Sequence, residues 1–433
     1  MIELKVGIIG FGTVGAGVAS CLLKNAEVIA KRCGMKPVLH KIADLDITTD
    51  RGVSVPSGIL TTSVAELLDS CDIVVELIGG TTKSREFILE ALRRGKPVVT
   101  ANKALLADYG KELFQVAEAH GSEIYYEASV GGGIPIIKSL RESFVGNRIR
   151  KIYGILNGTC NYILTRMERE NLGFREVLAD AQRLGYAEAN PSLDIDGFDT
   201  AHKAAILASL AYGEWFGTSA VFVEGIRHVS LSEIHYAQEL GYKIKLLAII
   251  KQEECGGQVE IRVHPALVPA ASPIGGISDV FNGVMVQGDY VGDTLFYGRG
   301  AGREATASAV VSDIVDVATN LAHGCPRRIA SFREGAQYSA LVPMSDVMTR
   351  YYIRIEVEDK PGVLGKIATL LSSYGISISS LMQRGNGENS EGAVSIIILS
   401  HLAKESHVRE ATAEIEKFPE VKDNVKLIRI EDI

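Results

Sequence analysis

No stretch of this chain comes near the ~18–20 consecutive apolar residues that a membrane-spanning helix needs, so no α-helical anchor is expected. Basic charge is also short. Forty-five Lys and Arg face 53 Asp and Glu, a net −8, and no long basic run offsets the deficit. Non-specific binding to nucleic acid or to an anionic membrane surface is therefore not expected. The six cysteines (Cys21, Cys33, Cys71, Cys160, Cys255 and Cys325) include no C-x-x-C pair. Their scatter argues against a disulfide framework or a cysteine zinc site and fits a reducing compartment. Met1 runs into a strand pattern without the charged head and apolar core of a signal peptide, so a cytoplasmic location is expected. What is present is an ordinary globular composition, 46% apolar and 23% charged. A soft prior of ~150 residues per domain divides the 433 residues into about three.

The first block alternates short apolar strands, at 5–9, 38–43, 73–77, 97–100 and 123–127, with helices ending near 24 and spanning 83–93 and 109–119. Such alternation implies parallel pairing, so residues 1–130 read as a Rossmann-type, doubly wound dinucleotide-binding domain. The pattern changes after Gly131. A strand at 149–156, helices at 174–184 and 199–211, strands at 243–250, 259–263, 284–287 and 293–297, and a helix at 305–318 make 131–335 a central α+β domain. Residues 336–350 read as a linker. Beyond it Tyr351, Ile353, Ile355 and Val357 alternate with polar residues as a half-buried strand. Pro361 suits a first helical turn, and Val363, Leu364, Ile367, Leu370 and Leu371 form an apolar stripe. Two strands, a helix and a last strand follow, so 351–433 reads as a ferredoxin-like βαββαβ unit.

Gly10-x-Gly12-x-x-Gly15 lies between a strand and a helix, the context this fingerprint requires. Its glycines allow a tight turn and let a pyrophosphate approach the helix N-terminus. Gly10, Phe11, Gly12, Thr13, Val14 and Gly15 are thus candidate cofactor contacts. Asp44, at the end of the second strand, could bond a ribose 2′-hydroxyl and favour NAD. It lies beyond the usual ~20-residue spacing, so a longer helix or loop must intervene. Lys41 and Arg51 are near enough in sequence to neutralise a 2′-phosphate instead. The choice between NAD and NADP stays open.

The most informative stretch is 185–203, where Glu188, Asp194, Asp199 and Lys203 surround a polar turn that runs into an apolar helix. Asp199 and Lys203 are four apart and share one helix face. A small zwitterion needs such a set: carboxylates for its ammonium and an amine that exchanges a proton. The plainer reading is an exposed ion pair worth roughly 0.2–0.5 kcal/mol.

Taken in order, the glycine loop, Thr100-Ala101-Asn102-Lys103, Glu127-Ala128-Ser129-Val130-Gly131-Gly132-Gly133-Ile134-Pro135, Asn157-Gly158-Thr159-x-Asn161-Tyr162, the acidic stretch, Gly298-Arg299-Gly300-Ala301-Gly302 and Asp359-Lys360-Pro361-Gly362 resemble a homoserine dehydrogenase with a C-terminal ACT domain. With no kinase domain ahead of it, the chain resembles the single-activity form. The resemblance implies reversible NAD(P)H-dependent reduction of L-aspartate 4-semialdehyde to L-homoserine, a step of threonine, methionine and isoleucine biosynthesis. By the same likeness Lys203 gives and takes the proton, Asp199 orients it or holds substrate, and Glu188 takes the substrate ammonium. Asp194 supports that network, and Lys103 sits near the nicotinamide. Thr100, Gly185 and Gly300 join the cofactor contacts. Glu127 by side chain, with Val130, Gly132 and Ile134 by backbone carbonyls, would hold sodium; a Gly-rich turn joining two domains is the other reading. Asp359 and Gly362 would meet an amino-acid effector, threonine being the expected one. A homodimer or homotetramer is implied.

One residue departs from the family pattern: Cys160 stands where Thr is frequent. A thiol there would suit a phosphorylating semialdehyde dehydrogenase working through a thiohemiacetal. That chemistry needs a histidine base, and His120 is the only histidine within forty residues. A buried, inert cysteine is the alternative. A dehydrogenase of another small amino-acid aldehyde, and a non-catalytic nucleotide and amino-acid sensor, are the rival functions.

Overall fold

The computed structural model describes residues 2–252, 257–325, 328–335, 338–385 and 393–433. Met1, Cys255 and the first two residues of the expected linker, Ala336 and Gln337, lie outside the described residues. The first layer runs β1 (Ile2–Ile9), α1 (Thr13–Lys24), α2 (Ala26–Cys33), β2 (Met35–Ala43), β3 (Leu60–Thr61), α3 (Val64–Ser70), β4 (Ile73–Glu76), α4 (Lys83–Arg93), β5 (Val98–Thr100), α5 (Lys103–Ala119) and β6 (Ile124–Tyr125). Its six strands pair in parallel in the order β3-β2-β1-β4-β5-β6. The doubly wound expectation holds, and the order reverses beside β1, where ligands of such sheets bind.

Three helices of this layer depart from the expected pattern. Helix α2 fills the extra sequence before Asp44; only Ala30 of its residues is buried, so its apolar period is faint. Helix α3 starts at Ser63, whose hydroxyl accepts the Glu66 amide, an S-x-x-E cap. Helix α5 begins six residues before the expected 109, because the Asn102 side chain accepts the Leu105 amide. That cap sets Lys103 at a helix start beside the sheet's C-terminal edge.

The central region runs α6 (Ile136–Lys138), β7 (Ile149–Ile155), α7 (Gly158–Glu170), α8 (Phe174–Arg183), α9 (Ser192–Ile195), α10 (Phe198–Tyr212), β8 (Phe222–Val223), α11 (Leu231–Glu239), β9 (Tyr242–Lys251), β10 (Glu260–Pro269), β11 (Phe281–Gly288), β12 (Gly292–Arg299) and α12 (Arg303–Ala322). Helix α10 is apolar around most of its girth, as a core helix must be. Ile206 and Leu207 are fully buried, each worth ~1.5–3 kcal/mol of transfer free energy. Helix α12 does not stay with its neighbours in sequence. Its Ala307, Val310, Ile314 and Val317 share a core with Val6, Ile8 and Val18 of the first layer.

The last region comprises β13 (Met348–Glu358), α13 (Val363–Ser373), β14 (Ile378–Gly385), β15 (Ala393–Ser400), β16 (Ala403–Lys404), α14 (Glu405–Ile415) and β17 (Lys426–Ile430). Its strands lie antiparallel in the order β17-β13-β15-β14, the expected ferredoxin-like arrangement. Strand β13 is not half-buried, however. Tyr352 is as buried as Tyr351, because that face meets the central region, where Arg354 pairs with Glu233 of α11. Strand β17 also pairs with β10 at Ala266–Arg429 and Leu267–Ile430. Central and C-terminal strands therefore belong to one eleven-stranded sheet. Among the described residues no helix is long and apolar enough to cross a membrane.

Candidate active site between the glycine loop and the acidic turn

Gly10 leaves β1 with φ +105°, and a Cβ there would lie 2.8 Å from the Leu77 carbonyl carbon. A Cβ on Gly15 would lie 2.0 Å from the Gly10 oxygen. Only glycine fits either place. The turn presents exposed Gly12 and Thr13 at the start of α1, where amide groups suit a pyrophosphate. Val14 lines a cavity of about 560 Å3 whose other walls carry Lys103, Asp194, Asp199 and Lys203. Gly185, Gly132 and Gly300 border the same space.

Lys203, on α10, is 8% exposed. Its ammonium donates to Asp199 Oδ2 at 2.7 Å and to the Leu156 carbonyl at 2.6 Å. Lys103 reaches the other oxygen of Asp199, at 3.0 Å. One buried carboxylate thus bridges two ammonium groups. Burial pushes the Lys203 amine below its ordinary range, Asp199 opposes that shift and Lys103 adds to it. Burial alone would raise the Asp199 carboxyl, but the two lysines hold it well below the usual range. Asp194 moves the other way. Burial raises it, the Asp199 charge adds, and a hydrogen bond from Asn157 opposes.

Asn157, at the start of α7, joins the two carboxylates. Its amide nitrogen donates to Asp194 Oδ1 at 2.7 Å and to Asp199 Oδ2 at 2.8 Å. Its oxygen accepts the Cys160 amide at 2.8 Å. The capping role is legible from Asn at a strand-to-helix turn. The two carboxylates lie 37 and 42 residues downstream, and no local pattern announces them.

Other expected contacts sit less directly. Asp44 accepts the Phe11 amide at 2.5 Å and the Asp46 amide at 2.9 Å, so it ties β2 to the glycine loop. Lys41 is paired with Glu66, and Arg51 with Asp46. Thr100 is fully buried and donates to Glu76 at 2.8 Å. Glu188 is exposed, and it is not among the residues lining the cavity. Glu127 is buried; its carboxylate accepts the Ile137 and Lys138 amides at 2.9 and 2.7 Å. Burial pushes that carboxyl up to about 7 against those hydrogen bonds. Val130 and Ile134 are buried beside it in sequence, and Gly132 borders the cavity. No group of three or more His, Cys, Asp or Glu that could hold a metal occurs among the described residues.

Cys160 is fully buried and its thiol donates to the Asp194 carbonyl at 3.3 Å. Burial, with Asp194 and Asp199 nearby, pushes the thiol far up. A nucleophile needs the opposite environment, so the thiohemiacetal reading falls. In the C-terminal region Asp359 and Gly362 border a separate hollow of about 300 Å3 at the start of α13.

Residues 135–315 match the family model described as homoserine dehydrogenase, 10–127 its NAD-binding domain and 351–420 the ACT domain. A homoserine dehydrogenase of Neisseria gonorrhoeae is 42% identical, with 100% of each chain covered. The crystal structure of a homoserine dehydrogenase from Thiobacillus denitrificans is 42% identical with a TM-score of 0.92, covering 99% of this chain and 98% of the other. A hyperthermophilic archaeal homoserine dehydrogenase, solved in complex with NADPH, is 28% identical with a TM-score of 0.61, covering 73% and 98%. Matched from end to end, this chain belongs to the homoserine dehydrogenase family of nicotinamide-dependent oxidoreductases and carries a C-terminal ACT domain.

Proposed function

We propose that the chain reduces L-aspartate 4-semialdehyde to L-homoserine reversibly, with Lys203 moving the proton. The carrying observation is the Lys203–Asp199–Lys103 bridge in the cavity that Val14 of the glycine loop also lines. Nicotinamide, when bound, supplies or accepts the hydride. As charge gathers on the substrate oxygen, the Lys203 ammonium stabilises it and delivers the proton; in reverse the neutral amine removes it. Lys103 adds a second cation to the same oxygen. Asp194, fixed by Asn157, holds the substrate ammonium in place of Glu188, which the cavity lining does not include. The polar rim at the end of β2 carries Asp44 and Asp46, and Lys41 and Arg51 beside it are paired with Glu66 and Asp46. A 2′-phosphate meets repulsion there, so NADH is the preferred reductant. Following NADH and NADPH oxidation with aspartate semialdehyde tests substrate, reaction and cofactor together. Turnover only with another aldehyde sinks the substrate, and a higher kcat/KM with NADPH sinks the cofactor preference.

Sodium belongs to the same reading. Among the described residues, the hydrogen bonds to the buried Glu127 carboxylate come from the Ile137 and Lys138 amides. A monovalent cation shared with the carbonyls of Val130, Gly132 and Ile134 would relieve that burial. The expected result is a higher melting temperature in sodium chloride than in choline chloride at equal ionic strength, an increment that Glu127→Gln abolishes. Equal melting in both salts removes the site.

Threonine feedback acts through the hollow at Asp359 and Gly362, where the N-terminus of α13 can meet an effector carboxylate. Threonine is expected to slow aldehyde reduction, Asp359→Ala to weaken that response, and sedimentation to return a dimer or tetramer. A rate indifferent to threonine in the unaltered enzyme leaves the domain an assembly module.

A further inference from the structure

Between β8 and α11 the chain runs across the outside of the acidic turn and fits it closely. The Glu224 amide donates to the Val263 carbonyl of β10 at 2.8 Å. A Cβ on Gly225 would lie 2.3 Å from the Ile195 oxygen and 2.5 Å from Asp196 Cα, so the backbones touch there. The Ile226 amide donates to that Ile195 carbonyl at 2.8 Å. Arg227 takes both oxygens of Asp196, and Ser192 Oγ at 2.9 Å. Residues 224–227 therefore grip α9 on both sides of Asp194, whose own side chain meets Asn157 in the cavity.

The grip has an outer anchor in another part of the chain. Glu224 Oε2 lies 3.0 Å from Arg429 of β17 and 3.4 Å from Arg409 of α14, both in the ACT region. Its other oxygen meets His228 at 3.1 Å. Arg429 is 1% exposed and already held by both oxygens of Glu405. Glu405 is shared with Arg409 at 2.9 Å, so Glu405 and Glu224 together balance the two arginines. Beyond that balance, Glu224 gives the strip that bears on the acidic turn a fixed position.

We propose that Glu224 is a positioning residue for the substrate site, through which the C-terminal domain holds the Asp194 turn in its working geometry. The proposal rests on Asp194 serving the substrate as described above. A shift of about 1 Å at a group that orients substrate can cost up to ~100-fold, so a modest loosening is readable in steady-state kinetics. Glu224→Gln keeps the size and removes the charge. Gly225→Ala disturbs the same contact from the backbone side. Both are expected to raise KM for aspartate semialdehyde about five- to tenfold, with kcat and the KM for NADH near those of the unaltered enzyme. Glu431→Gln is the control. Glu431 is 2% exposed and binds Lys251 and Arg262 at 2.6 and 2.9 Å in the same seam, and among the described residues no ion pair joins it to 224–227. A purely structural role predicts that Glu224→Gln and Glu431→Gln lower the melting temperature alike and leave KM alone. That outcome, or a KM rise shared by Glu431→Gln, overturns the proposal. Asp194→Asn separates the two failures. If it raises KM while both strip variants do not, the positioning link falls and the substrate reading stands. If it too leaves KM unchanged, the substrate reading falls and the link with it.

Discussion

Replacing Lys203 with Met is expected to lower turnover in both directions by ~10²–10⁴, the usual worth of a positioned acid–base group. The change nearly conserves volume. It leaves Asp199 facing Lys103 and the Asn157 amide, so the carboxylate keeps partners and the chain keeps its fold. Dinucleotide affinity should not change, since the glycine loop bears none of the altered contacts. A folded Lys203→Met enzyme turning over within tenfold of the unaltered one would end the proton-transfer reading and revive the sensor alternative. The pH profile offers a second check. Reduction needs the ammonium and oxidation the neutral amine. With the Lys203 amine below its ordinary value of 10.5, homoserine oxidation should rise with pH and level off before that value. Aldehyde reduction should fall over the same window.

Asp199→Ala is expected to cost both stability and activity, in a way that depends on pH. Removing one partner of a buried ion pair costs ~3–5 kcal/mol when the other charge stays buried. Here the remaining charge can leave. Lys203 loses the anion that raises its proton affinity, so its pKa in the folded state drops further below the unfolded value of ~10.4. Between those two values the unfolded chain binds a proton that the folded chain does not, so stability rises with pH. The deficit against the unaltered enzyme should therefore be largest near neutrality and shrink towards pH 9.5. Urea unfolding at both pH values measures it. A deficit that does not change with pH would mean that Asp199 and Lys203 are not coupled.

Much of this was legible in the sequence. Alternation gave the parallel sheet, and glycine spacing gave the turn at Gly10–Gly15. The i,i+4 spacing of Asp199 and Lys203 put them on one face, where they do meet. Long-range partners were not legible. Lys103 and Asn157 reach Asp199 from the starts of two other helices, and nothing local in either segment says so. Nor does the sequence say where α12 is seated, since its small-residue pattern suits burial against several partners equally well. The half-buried reading of β13 failed for a related reason. Alternation of apolar and polar residues reports one covered face, whereas Tyr352 and Arg354 are polar-tipped residues buried against a neighbouring region.

The placement of α12 and β17 bears on how the molecule is made. Residues 303–322 complete the first core, and 426–430 complete the sheet at β10. Synthesis runs N-terminus first, so the opening domain waits for a helix about three hundred residues after β1, and the central sheet for a strand later still. Domains commonly fold as units during synthesis. Here the apolar seat of α12 on Val18 and Ile8 stays uncovered until Arg303–Ala322 emerges, the interval in which chaperones have the most to shield.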